Sequence, residues 1–128
     1  MATENVFLAI SGEFSEAVAT QYLVAKNATT ANEYGISKDK AADSIVGVFQ
    51  NTGPDGGACS IAVLGITKIK TGGAIAKGAR VAPHTDGTGI TTTTKNNRVV
   101  GIAMETGGTD DIIPLLLTPG NTYHVGVS

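Results

Sequence analysis

Ile45-Val-Gly-Val48 recurs 54 residues later as Val99-Val-Gly-Ile102, and the likeness runs on past both. Asn51-Thr-Gly53 falls without a gap on Glu105-Thr-Gly107, and the apolar stretch Ala58–Leu64 falls on Ile112–Thr118. Each copy reads as a strand, a glycine-rich turn and a returning strand, so hairpins are expected over about 44–65 and 98–119. Two such hairpins can pack face to face, each covering the apolar face that the other cannot bury alone. Gly47 and Gly101 fall in mid-strand, where a bulge or a close backbone approach is the usual cause.

Working outward, the same β pattern fills the rest of the chain from Ser44 onward. Strands are expected at Ile45–Phe49, Cys59–Leu64, Ile66–Lys70, Arg80–Ala82, Ile90–Thr93, Val99–Met104 and Ile112–Leu117. Asn51–Gly57, Thr71-Gly-Gly73, Asp86-Gly-Thr-Gly89, Asn96-Asn97 and Thr106–Asp111 supply the Gly, Asn and Asp that turns require. Before residue 40 the pattern is weaker. Val6–Ile10 and Tyr22–Ala25 read as short strands, Ser15–Gln21 as irregular chain or one helical turn, and Asn27–Lys40 as a loop with at most one short strand. The expected fold is all-β, a small barrel or sandwich spanning 21–128, preceded by an extended N-terminal arm over 1–20.

Composition fits one domain: 128 residues, 41% hydrophobic and only 16% charged, with 17 glycines in no collagen-like period. The net charge of −2 hides an asymmetry. Lys68, Lys70, Lys77, Arg80, Lys95 and Arg98 face only Asp86 in sequence, whereas Glu4, Glu13, Glu16 and Glu33 load the beginning. Six cations could follow a nucleic-acid backbone, but no Phe, Tyr or Trp lies between Phe49 and Tyr123 to stack on bases. A solvated face, or a patch that meets an acidic protein surface, is the preferred reading.

Catalytic chemistry finds no foothold in the sequence. A nucleophilic triad has only His84 and His124 to draw on, with no Gly-x-Ser-x-Gly elbow. Cys59 is single and falls in a core strand, which excludes an intrachain disulfide and argues against a reactive thiolate. One Cys and two separated His make no zinc spacing, and Asp110-Asp111 and Asp55-Gly56 read as turns before cation ligands. Gly73–Gly78 lacks the Gly-Lys-Ser/Thr ending of a phosphate loop. No cofactor, metal or enzymatic activity is expected. The N-terminus shows no signal-peptide or membrane-spanning pattern, so synthesis in a cytoplasm and no membrane partner are expected.

Taken in order, the blocks Tyr22–Lys26, Ala41–Asn51, Gly57–Ile69, Gly72–Val81, Val99–Met104 and Asp111–Leu117 resemble the capsid cement, or head decoration, proteins of tailed bacteriophages. The resemblance covers roughly 21–118. It implies a non-enzymatic structural protein that adds to the outside of the expanded capsid, with the major capsid protein as partner, and that forms a homo-oligomer, a trimer before a dimer. By analogy with lambda-type decoration proteins, the N-terminal arm would extend a strand ladder of the shell. The capsid-contact candidates are Val6, Phe7, Leu8 and Ile10 on that arm and Lys68, Lys70, Lys77 and Arg80 on the basic segment. The alternatives left open are a nucleic-acid-binding barrel and another virion subunit, a tail tube or head fibre.

Overall fold

Val, Ile and Thr at alternate positions between glycine-rich turns give strands, and the computed structural model, which describes residues 5–94 and 96–118, contains nine of them and no helix among those residues. They are β1 (Asn5–Phe14), β2 (Val24–Asn27), β3 (Glu33–Ile36), β4 (Ile45–Phe49), β5 (Ala58–Lys70), β6 (Arg80–Pro83), β7 (Gly89–Thr91), β8 (Gly101–Ala103) and β9 (Ile112–Leu117). The all-β class expected from the sequence is the one observed. Lys95 and His124 lie outside the described residues.

The strand order is β1-β3-β2-β4-β5-β9-β8-β6-β7, with β1 also pairing β5. The first five strands therefore close on themselves. At Ile61 and Ala62, β5 has β1 on one edge and β4 on the other. At Ile66 it has β1 on one edge and β9 on the other. The remaining strands close a second circuit, because Thr71, just beyond β5, bridges in parallel to Gly89 of β7. Two five-stranded rings thus share the single long strand β5.

The two rings are copies of one another, and the hairpin repeat seen in the sequence is the tail of a longer one. Val24 pairs with Val48 as Arg80 pairs with Ile102; Phe14 pairs with Tyr34 in parallel as Thr71 does with Gly89. Val18 bridges Gly53, and Ile75 bridges Gly107. The amide of Tyr22 donates to the Phe49 carbonyl at 3.2 Å, and that of Gly78 donates to Ala103 at 2.7 Å. The first repeat is β1, β2, β3, β4 and the first half of β5. The second is the rest of β5, then β6, β7, β8 and β9.

One expectation needs correction: Cys59–Leu64 and Ile66–Lys70 are not two strands but one. Gly65, the residue between those two expected strands, has φ of +102° and sits where the β1–β5 register shifts. A Cβ there would lie 2.5 Å from the Asn5 carbonyl oxygen and 2.6 Å from the Phe7 nitrogen. Glycine thus permits a bulge that redirects β5 from one ring to the other without ending it. At 15–21 the chain forms bends and a turn around the Val18 bridge, without a helical turn.

The core divides as the repeats do. Phe14, Val18, Leu23, Ala25, Ile36, Phe49, Cys59 and Ile61 fill the first ring, with the Phe14 and Phe49 rings tilted at 47° and 5.2 Å between centroids. The second cluster holds Ile69, Ile75, Val81, Ala103, Ile113 and Leu115, and it also takes in Val24, Val48 and Ala62 from the outer side of the first ring. The rings are therefore joined by apolar packing as well as by β5.

Candidate functional site

The capsid-contact candidates fall on three strands, β1, β5 and β6, and one turn. Residues 5–14, expected within an arm, run antiparallel to β5 from Asn5 opposite Ile66 to Glu13 opposite Ala58, and Phe14 and Val18 beyond them are buried. Val6 packs against the second-ring core and Ile10 against the first. Phe7 and Leu8 face solvent, 81% and 50% exposed. They point outward because Val6 takes the inward position and the register shift on either side of Leu8 breaks the alternation. The opposite edge of β1 pairs with β3 only at Glu13 and Phe14. Over residues 5–12 it therefore carries unpaired backbone groups among the described residues.

The basic candidates gather on the second repeat. Lys68 and Lys70 alternate outward from β5 between buried Thr67, Ile69 and Thr71, opposite Pro114 and Ile112 of β9. Lys68 holds its ammonium 5.9 Å from the centre of the Tyr22 ring, within cation–π range. Lys77 lies in the turn before β6, its amide bound to the Thr106 hydroxyl at 3.1 Å. Arg80 opens β6, exposed, opposite Ile102. No carboxylate among the described residues forms an ion pair with these four cations. Arg98 lies apart from them, turned back toward the first repeat, where its guanidinium donates to the Asp43 carbonyl at 2.7 Å.

Sequence reasoning missed the apolar residues that accompany these cations on the same outward face. Ile112 is 47%, Leu116 38% and Met104 36% exposed. The run Ile112-Ile-Pro-Leu-Leu-Leu117 reads as wholly buried. Only its register against β5, which sets Ile112 opposite outward-facing Lys70 and Leu116 opposite Ile66 of the same face, shows that Ile112 and Leu116 face outward.

The remaining polar groups are structural. Asp43 accepts hydrogen bonds from Ser37 Oγ and the amides of Lys38 and Asp39 at 3.0–3.1 Å, with Lys26 Nζ at 3.6 Å. Burial works to raise its pKa, but those amides, the hydroxyl and the lysine charge outweigh it and hold the carboxyl below its usual range. Burial pushes the Cys59 thiol up, which favours its protonated form. Among the described residues, no group of three His, Cys, Asp or Glu is placed to hold a metal ion. No helix is long and apolar enough to cross a membrane. A polar depression of about 380 Å³ is lined by Ser15, Glu16, Lys26, Asn27 and Glu33, among others.

Comparison with known proteins places this geometry. The N base of head fibre gp8.5 from bacteriophage phi29 has a similar solved structure, with a TM-score of 0.65 at 17% identity, covering 91% of this chain and 98% of that one. That likeness shows a shared fold. A search of the curated proteins finds no match. The family described as phage cement protein matches residues 14–113, which takes in most of both rings and the strand they share. A chain of two fused β-rings, matched over that span, belongs to the phage cement protein family and is a structural protein of the phage virion.

Proposed function

We propose that the protein is a decoration protein that binds the outside of the expanded phage capsid, through the major capsid protein, and stabilises it as a homo-oligomer, with three copies favoured. The family match over residues 14–113 carries this reading. The surface supports it: the open edge of β1 offers backbone donors and acceptors to a strand of the shell, and exposed Phe7 and Leu8 add apolar area beside it. The unpaired Lys68, Lys70, Lys77 and Arg80 suit an acidic protein surface. Linking copies makes each later contact effectively intramolecular, so weak single grips add up. Binding only the mature lattice stabilises it by about 2.7 kcal/mol per site at a hundredfold excess over Kd.

Cosedimentation of the purified protein with undecorated expanded heads tests this directly. Saturable binding is expected; absence of binding across salt and concentration removes the claim. A second reading, that the chain is the base of a head fibre, is favoured by its likeness to the phi29 fibre base over nearly all of that chain. Micrographs of labelled particles distinguish the two, since a fibre base carries a protruding shaft and a decoration protein covers the lattice.

A further inference from the structure

The two repeats carry the same cross-strand row of residues, and the row is covered over three of its four positions in one repeat and partly open in the other. In the first repeat the row runs Val24, Val48, Ala62, Ala9 across β2, β4, β5 and β1. Val24, Val48 and Ala62 have no exposed surface and lie in one cluster with Ile69, Val81 and Leu115 of the second repeat. The equivalent row runs Arg80, Ile102, Leu116, Ile66 across β6, β8, β9 and β5. Its apolar members are partly exposed, Leu116 by 38%, and Ile112 on the same face of β9 by 47%. Ala9, at the far end of the first row, is exposed, but the three residues that the first repeat buries, Val24, Val48 and Ala62, correspond to Arg80, Ile102 and Leu116, which the described residues leave partly open in the second.

We infer that this second row, Ile66, Ile102 and Leu116, is the seat of a second copy of the chain, which docks through its acidic first repeat. The internal precedent names the occupant, because the matching row is already covered at three of its positions by a repeat of this same protein. Charge gives the direction. Lys68, Lys70 and Arg80 border the open row without a carboxylate partner among the described residues. On the first repeat, Glu13 and Glu33 lie directly opposite one another across β1 and β3, a like-charge pairing that costs stability unless a cation intervenes. Cations from a neighbouring copy relieve it. Such a contact joins two different surfaces, so it closes into a ring or grows a filament. Closure at three copies gives the favoured trimer.

The inference rests on the homo-oligomeric part of the proposed function and not on capsid binding. Its test is the solution mass of the full chain by light scattering over a range of concentrations. An oligomer is expected whose dissociation constant rises at least tenfold with Leu116→Glu, with the double variant Glu13→Lys and Glu33→Lys, and with added salt. Adding Lys70→Glu and Arg80→Glu to that double variant should restore assembly by exchanging the charges. Should Leu116→Glu fail to fold by circular dichroism, the reversals at the glutamates decide alone. A wild-type monomer at every concentration, or an oligomer indifferent to both the row and the charges, overturns the inference. A wild-type oligomer that ignores expanded heads removes capsid binding instead and leaves this interface standing.

Discussion

Gly47 and Gly101 meet the same obstacle in the two halves of the molecule: a Cβ on either would run into a carbonyl oxygen across the ladder, that of Ala62 in one case and Leu116 in the other. The two glycines are 54 residues apart, and so are the two carbonyls. A backbone approach this close is required of both rings. It explains a glycine in the middle of a strand, where glycine otherwise weakens the ladder.

Gly47→Ala and Gly101→Ala should therefore each destabilise the fold by about 1–3 kcal/mol or more, since the obstacle is main chain and cannot swing aside. Urea unfolding measures both. Losses below half a kcal/mol at either site would show that the approach is not needed.

Phe14 and Phe49 are fully buried in the first ring, whereas their counterparts in the second, Thr71 and Ala103, are small. Phe49→Ala should cost about 3–5 kcal/mol, the range for emptying a buried aromatic site. Denaturant midpoints compared with wild type give the value, and a loss under 2 kcal/mol contradicts the packing described.

Acid should loosen the protein in a defined window. Asp43 and Asp86 both have lowered folded pKa values: for Asp43 burial is outweighed by hydrogen bonds, and for Asp86 the Thr88 hydroxyl leads. A depressed carboxyl contributes stability that is present above its unfolded pKa of about 4 and is lost as pH falls through the folded value. Urea midpoints should hold between pH 7 and 5 and drop below pH 4. In Asp43→Asn the drop should be smaller and the starting stability lower, by roughly 1–3 kcal/mol. An unchanged acid profile in that variant would exclude Asp43 as a source.

Cys59 is 2% exposed, with its thiol pushed up by burial. Thiol reagents at neutral pH should modify it only as fast as the protein opens, and fully in urea. Stoichiometric labelling of native protein within seconds would place the sulfur at the surface.

Phe7 and Leu8 contribute little to either core. The double replacement Phe7→Ser and Leu8→Ser should leave urea stability within about 0.5 kcal/mol of wild type, as for other surface changes, while lowering affinity for expanded heads at least tenfold. Undiminished cosedimentation would remove β1 from the capsid contact.

The sequence announces some parts of this fold and conceals others. Ile45–Phe49 and Ile112–Leu117 are bounded by turn residues on both sides and coincide with β4 and β9. The duplication is visible there because small residues are demanded at Gly47 and Gly101. It is invisible from β1 to β3, where the equivalent pairs are Phe14 and Thr71, Tyr34 and Gly89, Val24 and Arg80. Those positions keep their hydrogen bonds and change their side chains, so only backbone pairing reveals them. Gly65 misleads because a glycine that bends a strand and one that ends it look alike in sequence. The basic candidates on the second repeat were legible as charges, but their apolar neighbours Ile112 and Leu116 were not. Which face of an all-apolar strand is open depends on what lies across the ladder.

The long strand that both rings use should make them melt as a single unit. Unfolding the first ring takes the wall from the second, and the reverse holds, so no half of this protein has a complete barrel of its own. A tug at the amino-terminal edge is carried along unbroken main chain into the carboxyl-terminal ring. Such a splice also sets a rule for growth: the last strand of one unit becomes the first of the next, so a chain of this kind lengthens by four strands at a time and never by five.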